Sequence, residues 1–134
     1  MTDITASLGM AQLKRYSEIL ERRKQIIEKY NHGLDGTGID VLKHYNEYFT
    51  SSGHLYLTTL KGKNEAFRNS VIEKMAGKGI ATNVHYKPLP MHTAYKNLEF
   101  DIKDYPNAFG MYENEITLPL HNSAYRSGSG IYNI

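Results

Sequence analysis

Gly79-Ile80-Ala81-Thr82-Asn83-Val84-His85-Tyr86-Lys87-Pro88-Leu89-Pro90-Met91-His92 joins a helix stop, a strand pattern and a proline-stiffened crossing. Gly77 and Gly79 end the helical pattern that precedes it. Ile80, Thr82 and Val84 then alternate with Ala81, Asn83 and His85 at the period of a half-buried strand. Pro88 and Pro90 remove two backbone donors and bias Lys87 and Leu89 toward extended conformations. The segment therefore predicts a strand over 80–85 that delivers His85 and Tyr86 to a fixed, extended loop also carrying Lys87, His92 and Tyr95.

Immediately upstream, His54-Leu55-Tyr56-Leu57-Thr58-Thr59-Leu60 is rich in strand formers. Alternation puts Leu55, Leu57 and Thr59 on one face and His54, Tyr56 and Thr58 on the other. Asn64 can cap a helix whose buried stripe is Phe67, Val71, Ile72 and Met75. The order strand, helix, strand commonly sets both strands in one sheet with the helix over one face, and periodicity leaves their adjacency and direction open. Toward the N-terminus, Leu13, Tyr16, Leu20, Ile27, Tyr30 and Leu34, with Ile19 and Ile26 alongside, recur at three- and four-residue steps. They predict one long amphipathic helix, capped by Thr2 or Asp3 and running to about Asn31. Gly33, Gly36 and Gly38 turn the chain, Ile39 to Leu42 reads as a short strand, and 44–52 as an irregular loop. Downstream, Pro106 suits the first turn of a helix over about 107–114, and Glu115 to Leu120, short and proline-marked, reads as an edge strand.

The expected fold is an α+β domain over 1–121. A small, largely antiparallel sheet of 54–60, 80–85 and 116–120 is covered by the long N-terminal helix and the 65–77 helix. An irregular tail over 122–134 follows.

Composition narrows the function. A chain of 134 residues is one domain's worth, able to bury roughly two thirds of its unfolded surface. A net charge of +2, with basic residues spread along helices, speaks against nucleic-acid binding. The absence of cysteine removes disulfides, thiolate ligands and a cysteine nucleophile, and fits the reducing cytoplasm expected for this protein. No basic leader with an apolar core is seen, nor a run of about 20 apolar residues, so no export signal or membrane span is expected. Eleven tyrosines without a tryptophan offer flat apolar faces with polar tips, suited to interfaces and to sugar or cofactor pockets.

Six histidines raise the question of a metal, yet no His-Glu-x-x-His occurs and only His85 and His92 lie close together, across two prolines. Gly36-Thr37-Gly38 lacks the spacing of a nucleotide loop, and no Gly-x-Ser-x-Gly elbow supports a serine triad. His85 has two readings: a strand-end imidazole bonded to a nearby carbonyl, or an imidazole that joins the Tyr86 hydroxyl in facing a polyhydroxylated or phosphorylated ligand. His54 and Tyr56 would join that surface if their strand lies beside 80–85.

Several stretches together resemble one family. Met1-Thr2-Asp3-Ile4 with Ala6, Leu8-Gly9 and Gln12-Leu13, then Arg22-Arg23, Tyr30-Asn31, His54-Leu55-Tyr56 and Gly79-Ile80 occur in the order of the DegT/DnrJ/EryC1/StrS aminotransferases. His85-Tyr86-Lys87-Pro88-Leu89, Tyr95, Pro106-Asn107-Ala108 and Leu118-Pro119-Leu120 continue the match. The chain is thus similar to the C-terminal small domain of a fold-type I pyridoxal-phosphate (PLP) transferase of nucleotide-sugar biosynthesis. The resemblance implies a complete enzyme that moves an amino group from glutamate or glutamine to a keto-sugar nucleotide. The Schiff-base lysine and the rest of the PLP seat belong to the family's large domain, so this chain alone is expected to bind no PLP and to be inactive.

The resemblance also implies a homo-oligomer, at least a dimer, with apolar helix surface (some of Leu13, Tyr16, Leu20 and Ile27) exposed without the large domain. It places His85 and Tyr86 on the nucleotide-sugar or cofactor side of the cleft, as substrate-binding candidates, with His54, His92 and Tyr95 as further ones. A sugar-nucleotide-binding module without catalysis, or a dimerisation module, is the alternative.

Overall fold

The computed structural model describes residues 2–121; the expected tail, 122–134, lies outside the described residues. Thr2 caps α1 (Asp3–Lys14), and α2 spans Tyr16–Leu34. The one long helix of the sequence reading is therefore two. At Arg15 the backbone sits at φ −101°, ψ 0°, and its amide bonds to Gln12 O at 3.0 Å, a tightened turn with no proline or glycine to cause it.

Among the described residues three strands follow the order β1 (Asp40–Val41), β2 (Tyr56–Thr59), β3 (Glu115–Leu118), all antiparallel. Tyr56 pairs with Leu118 and Thr59 with Glu115. Between β2 and β3 the chain forms α3 (Glu65–Gly77), a 3-10 turn at Leu89–Met91, the short α4 (Thr93–Lys96), a second 3-10 turn at Ile102–Asp104 and α5 (Pro106–Asn114). The sheet is antiparallel, as expected, but 80–85 contributes only one bridge, Asn83 with Thr117, on the outer side of β3. The next amide that could extend the pairing, that of His85, instead donates to the Glu115 carboxylate at 2.8 Å. A side chain has replaced the ladder.

The core lies where α2 crosses the sheet. Ile26, Ile27, Tyr30 and Tyr56 are buried, and Leu34, Val41, Tyr45, Leu118 and Leu120 pack against them. Complete burial of each isoleucine contributes about 1.5–3 kcal/mol. The two tyrosine rings stand 4.8 Å apart, and their hydroxyls donate to Pro119 O at 2.9 Å and Asn31 Oδ1 at 2.7 Å, so their polar tips are satisfied inside. Tyr56 is consequently a core residue and not part of a ligand surface.

Of Leu13, Tyr16, Leu20 and Ile27, some of them expected to be exposed, Leu13 and Tyr16 are 71% and 46% exposed and Ile27 is fully buried; α1 buries nothing, and its Ile4 and Leu8 are 74% and 62% exposed. In α3, Asn64 accepts from Phe67 N at 3.0 Å, the expected cap, but Phe67 itself is exposed and Arg68 takes the inner position. Its guanidinium donates to Tyr112 O and pairs with Glu65, both at 3.2 Å, while lying over the Tyr112 ring. A buried charge is tolerated because it is bonded on several sides.

Candidate functional site

The site is built from β3 outward. Successive strand residues point to opposite faces, so Ile116 and Leu118 share one face and Glu115 and Thr117 the other. Ile116 and Leu118 line an apolar groove of about 560 Å³ with Tyr30, Val71 and Met75. Glu115 and Thr117 meet the 83–86 segment that the Asn83 bridge holds alongside.

Glu115 is 1% exposed. Its Oε2 accepts the His85 amide at 2.8 Å and its Oε1 accepts the Thr117 hydroxyl, so both oxygens of a buried carboxyl group are used. The same Thr117 Oγ1 lies 2.8 Å from Nδ1 of His85. A carboxylate, a hydroxyl and an imidazole thus form a continuous chain from the interior to the surface. Tyr86, joined to His85 by a cis peptide, sets its ring edge-on to the imidazole at 4.6 Å and is 68% exposed. Of the two readings of His85, the carbonyl-bonded one is replaced by a hydroxyl partner, and Nε2 has no hydrogen bond among the described residues.

The other candidates lie apart from this chain. His92 is exposed and its Nε2 is 3.3 Å from Lys87 O, so it braces the proline crossing. Tyr95 is half-buried against Phe100, with ring centroids 6.1 Å apart. His54 is exposed just before β2, and β3 lies between that strand and Asn83, so the condition that would have joined it to His85 is not met. No group of three metal-ligating side chains occurs among the described residues.

Glu115 and Thr117 were not among the residues singled out from the sequence. Their signal was present: two polar residues two apart in an otherwise apolar strand. A second missed residue is His44, placed in the irregular loop but buried, its ring stacked on Tyr56 at 5.5 Å and its Nδ1 3.1 Å from Ser51 Oγ. Burial lowers its pKa below the ordinary imidazole value.

The resemblance implies PLP chemistry, which needs a lysine held inside the cofactor pocket. Every lysine among the described residues is exposed. Lys29 alone of them borders the groove, whose other lining is apolar apart from Thr58 and holds neither a carboxylate for a pyridinium nor an anion cradle. These residues do not fit the cofactor.

Comparison with known proteins agrees with the architecture. Spr1654 of Streptococcus pneumoniae, described as a sugar aminotransferase and solved in a PMP-form, is 55% identical, with a TM-score of 0.88 over 90% of this chain and 31% of that one. The same protein is also known in a PLP-form. PseC of Helicobacter pylori, an aminotransferase involved in the biosynthesis of pseudoaminic acid, is 28% identical at a TM-score of 0.80, covering 92% of this chain and 33% of that one. A UDP-4-amino-4,6-dideoxy-N-acetyl-beta-L-altrosamine transaminase of Campylobacter jejuni is 31% identical over 121 residues, 90% of this chain and 32% of that protein. The chain therefore spans about a third of the length of the relatives it matches. With the sequence pattern of the family matched over residues 1–127, the chain belongs to the DegT/DnrJ/EryC1/StrS aminotransferase family.

Proposed function

We propose that this chain is the small-domain part of a PLP-dependent aminotransferase that moves an amino group from glutamate or glutamine to a keto-sugar nucleotide. In that assembly His85 and Tyr86 face the sugar side of the cleft, and PLP is held by a large domain. By itself the chain carries no amino transfer. The observation that carries the reading is the 55% identity and common backbone course with the Streptococcus pneumoniae sugar aminotransferase over one third of that protein. The apolar side chains of α1, all outside the core, support a covering large domain or second chain, because an apolar face of this kind favours association.

The test is a chimera in which this chain replaces the matching segment of the Streptococcus pneumoniae protein. The expected result is a PLP-loaded enzyme that converts a keto-sugar nucleotide to its amino sugar with glutamate or glutamine as donor. His85→Ala in that chimera should raise KM for the sugar. A folded, PLP-loaded chimera that transfers no amino group to any keto-sugar nucleotide would refute the reading. So would borohydride reduction of the chain alone with PLP, if it labelled one lysine stoichiometrically.

A further inference from the structure

We infer that Glu115 and Thr117 are positioning residues that lock His85 as the Nδ1–H tautomer and turn the lone pair of Nε2 outward, to accept a hydrogen bond from a ligand hydroxyl. The assignment follows from counting protons. A threonine hydroxyl has one proton to donate and lone pairs to accept with. Thr117 spends its proton on Oε1 of Glu115, where its hydroxyl is the donor. Toward His85 the same oxygen, 2.8 Å from Nδ1, is left as an acceptor, so Nδ1 carries the hydrogen. In the neutral ring the other nitrogen is then bare. Both ends of the chain are fixed: Oε2 of Glu115 holds the His85 amide at 2.8 Å, and the Asn83 bridge bonds both backbone groups of Thr117. The imidazole thus has its backbone and one ring nitrogen tied to a single strand, with Tyr86 edge-on against the ring.

The consequence is a choice of ligand chemistry. A neutral imidazole presenting a lone pair accepts from a sugar hydroxyl and offers no proton to a phosphate oxygen. This deepens the sugar-cleft reading and rests on it for the identity of the ligand; the lock itself does not.

The test needs no ligand. Long-range nitrogen–proton NMR of the uniformly labelled chain at about pH 8, above the ordinary imidazole range, reads which nitrogen of His85 is protonated, with His85→Gln identifying its signals. The expected result is protonated Nδ1 and bare Nε2. Thr117→Val should release the ring toward the Nε2–H form that unrestrained imidazole prefers, and Thr117→Ser should keep the wild-type pattern. Nε2–H in the wild-type chain, or Nδ1–H persisting in a folded Thr117→Val, would overturn the lock. The wild-type spectrum decides even if the valine variant fails to fold. Failure of the sugar reading appears separately, in the chimera's activity, and leaves the tautomer measurable.

Discussion

Gly53 offers a quantitative test of how closely the loop before β2 rests on α2. It is buried, its φ is +60°, and a Cβ built there would lie 3.1 Å from both Arg23 Cβ and Ile27 Cδ1. Alanine at this position meets two independent costs. The left-handed backbone costs an L-residue about 1–2 kcal/mol. Contact with the stem of Arg23 and the fully buried Ile27, which must give by a few tenths of an ångström, adds an overpacking cost of about 1–3 kcal/mol. Together these amount to about 2–5 kcal/mol, which at roughly 4 °C per kcal/mol for a domain of this size lowers Tm by about 8–20 °C.

Gly38 provides the control. It too has positive φ, +77°, but nothing lies within 4 Å of its Cβ direction. Gly38→Ala should show the backbone cost alone, about 1–2 kcal/mol. Urea and thermal unfolding of the two variants, measured side by side, separate conformation from packing. If Gly53→Ala is no more destabilising than Gly38→Ala, the close approach of this loop to α2 is not a tight one and the packing argument fails.

Acid should weaken the fold through His44. Its folded pKa is lowered by burial, so the unfolded chain binds the proton more readily. The stability it supports is complete above the ordinary value of about 6.5 and is lost as pH falls from there toward the folded pKa. Urea midpoints at pH 7.5 and 5.5 should therefore differ more for the wild type than for His44→Phe, which keeps a ring against Tyr56 but cannot titrate; equal differences would count against the burial argument. The two N-terminal helices should respond oppositely to truncation. Ile26→Ala, at a fully buried position, should cost about 2–5 kcal/mol. Leu13→Ala, at a side chain 71% exposed, should stay within about 0.5 kcal/mol in unfolding. It should nevertheless weaken self-association in sedimentation if the α1 face is the docking surface, and unchanged association would remove α1 from that role.

Local chemistry was enough to read the α2 stripe around Ile26, Ile27 and Tyr30, the Asn64 cap, the proline-led α5 and the short strand after it. Each is recorded within a few residues, in a period of 3.6 or 2 or in a capping side chain, and the family resemblance rests on the same stretches. Tertiary structure alone decided the rest. Periodicity marks which side chains are apolar but not which are covered, so α1 and α2 read as one helix although one lies outside the core and the other forms it. Arg68 entered and Phe67 stayed out because Tyr112, brought close by folding, joins the helix neighbour Glu65 in bonding the guanidinium. The strand expected over 80–85 shrank to one bridge because Glu115, 30 residues away, captured the His85 amide. His85 was legible as a candidate, and Glu115 and Thr117 stood out as polar residues in an apolar strand; that they are its partners was not legible, because a polar side chain declares its role only when its hydrogen-bond partner is in place, and the fold supplies that partner from another part of the chain.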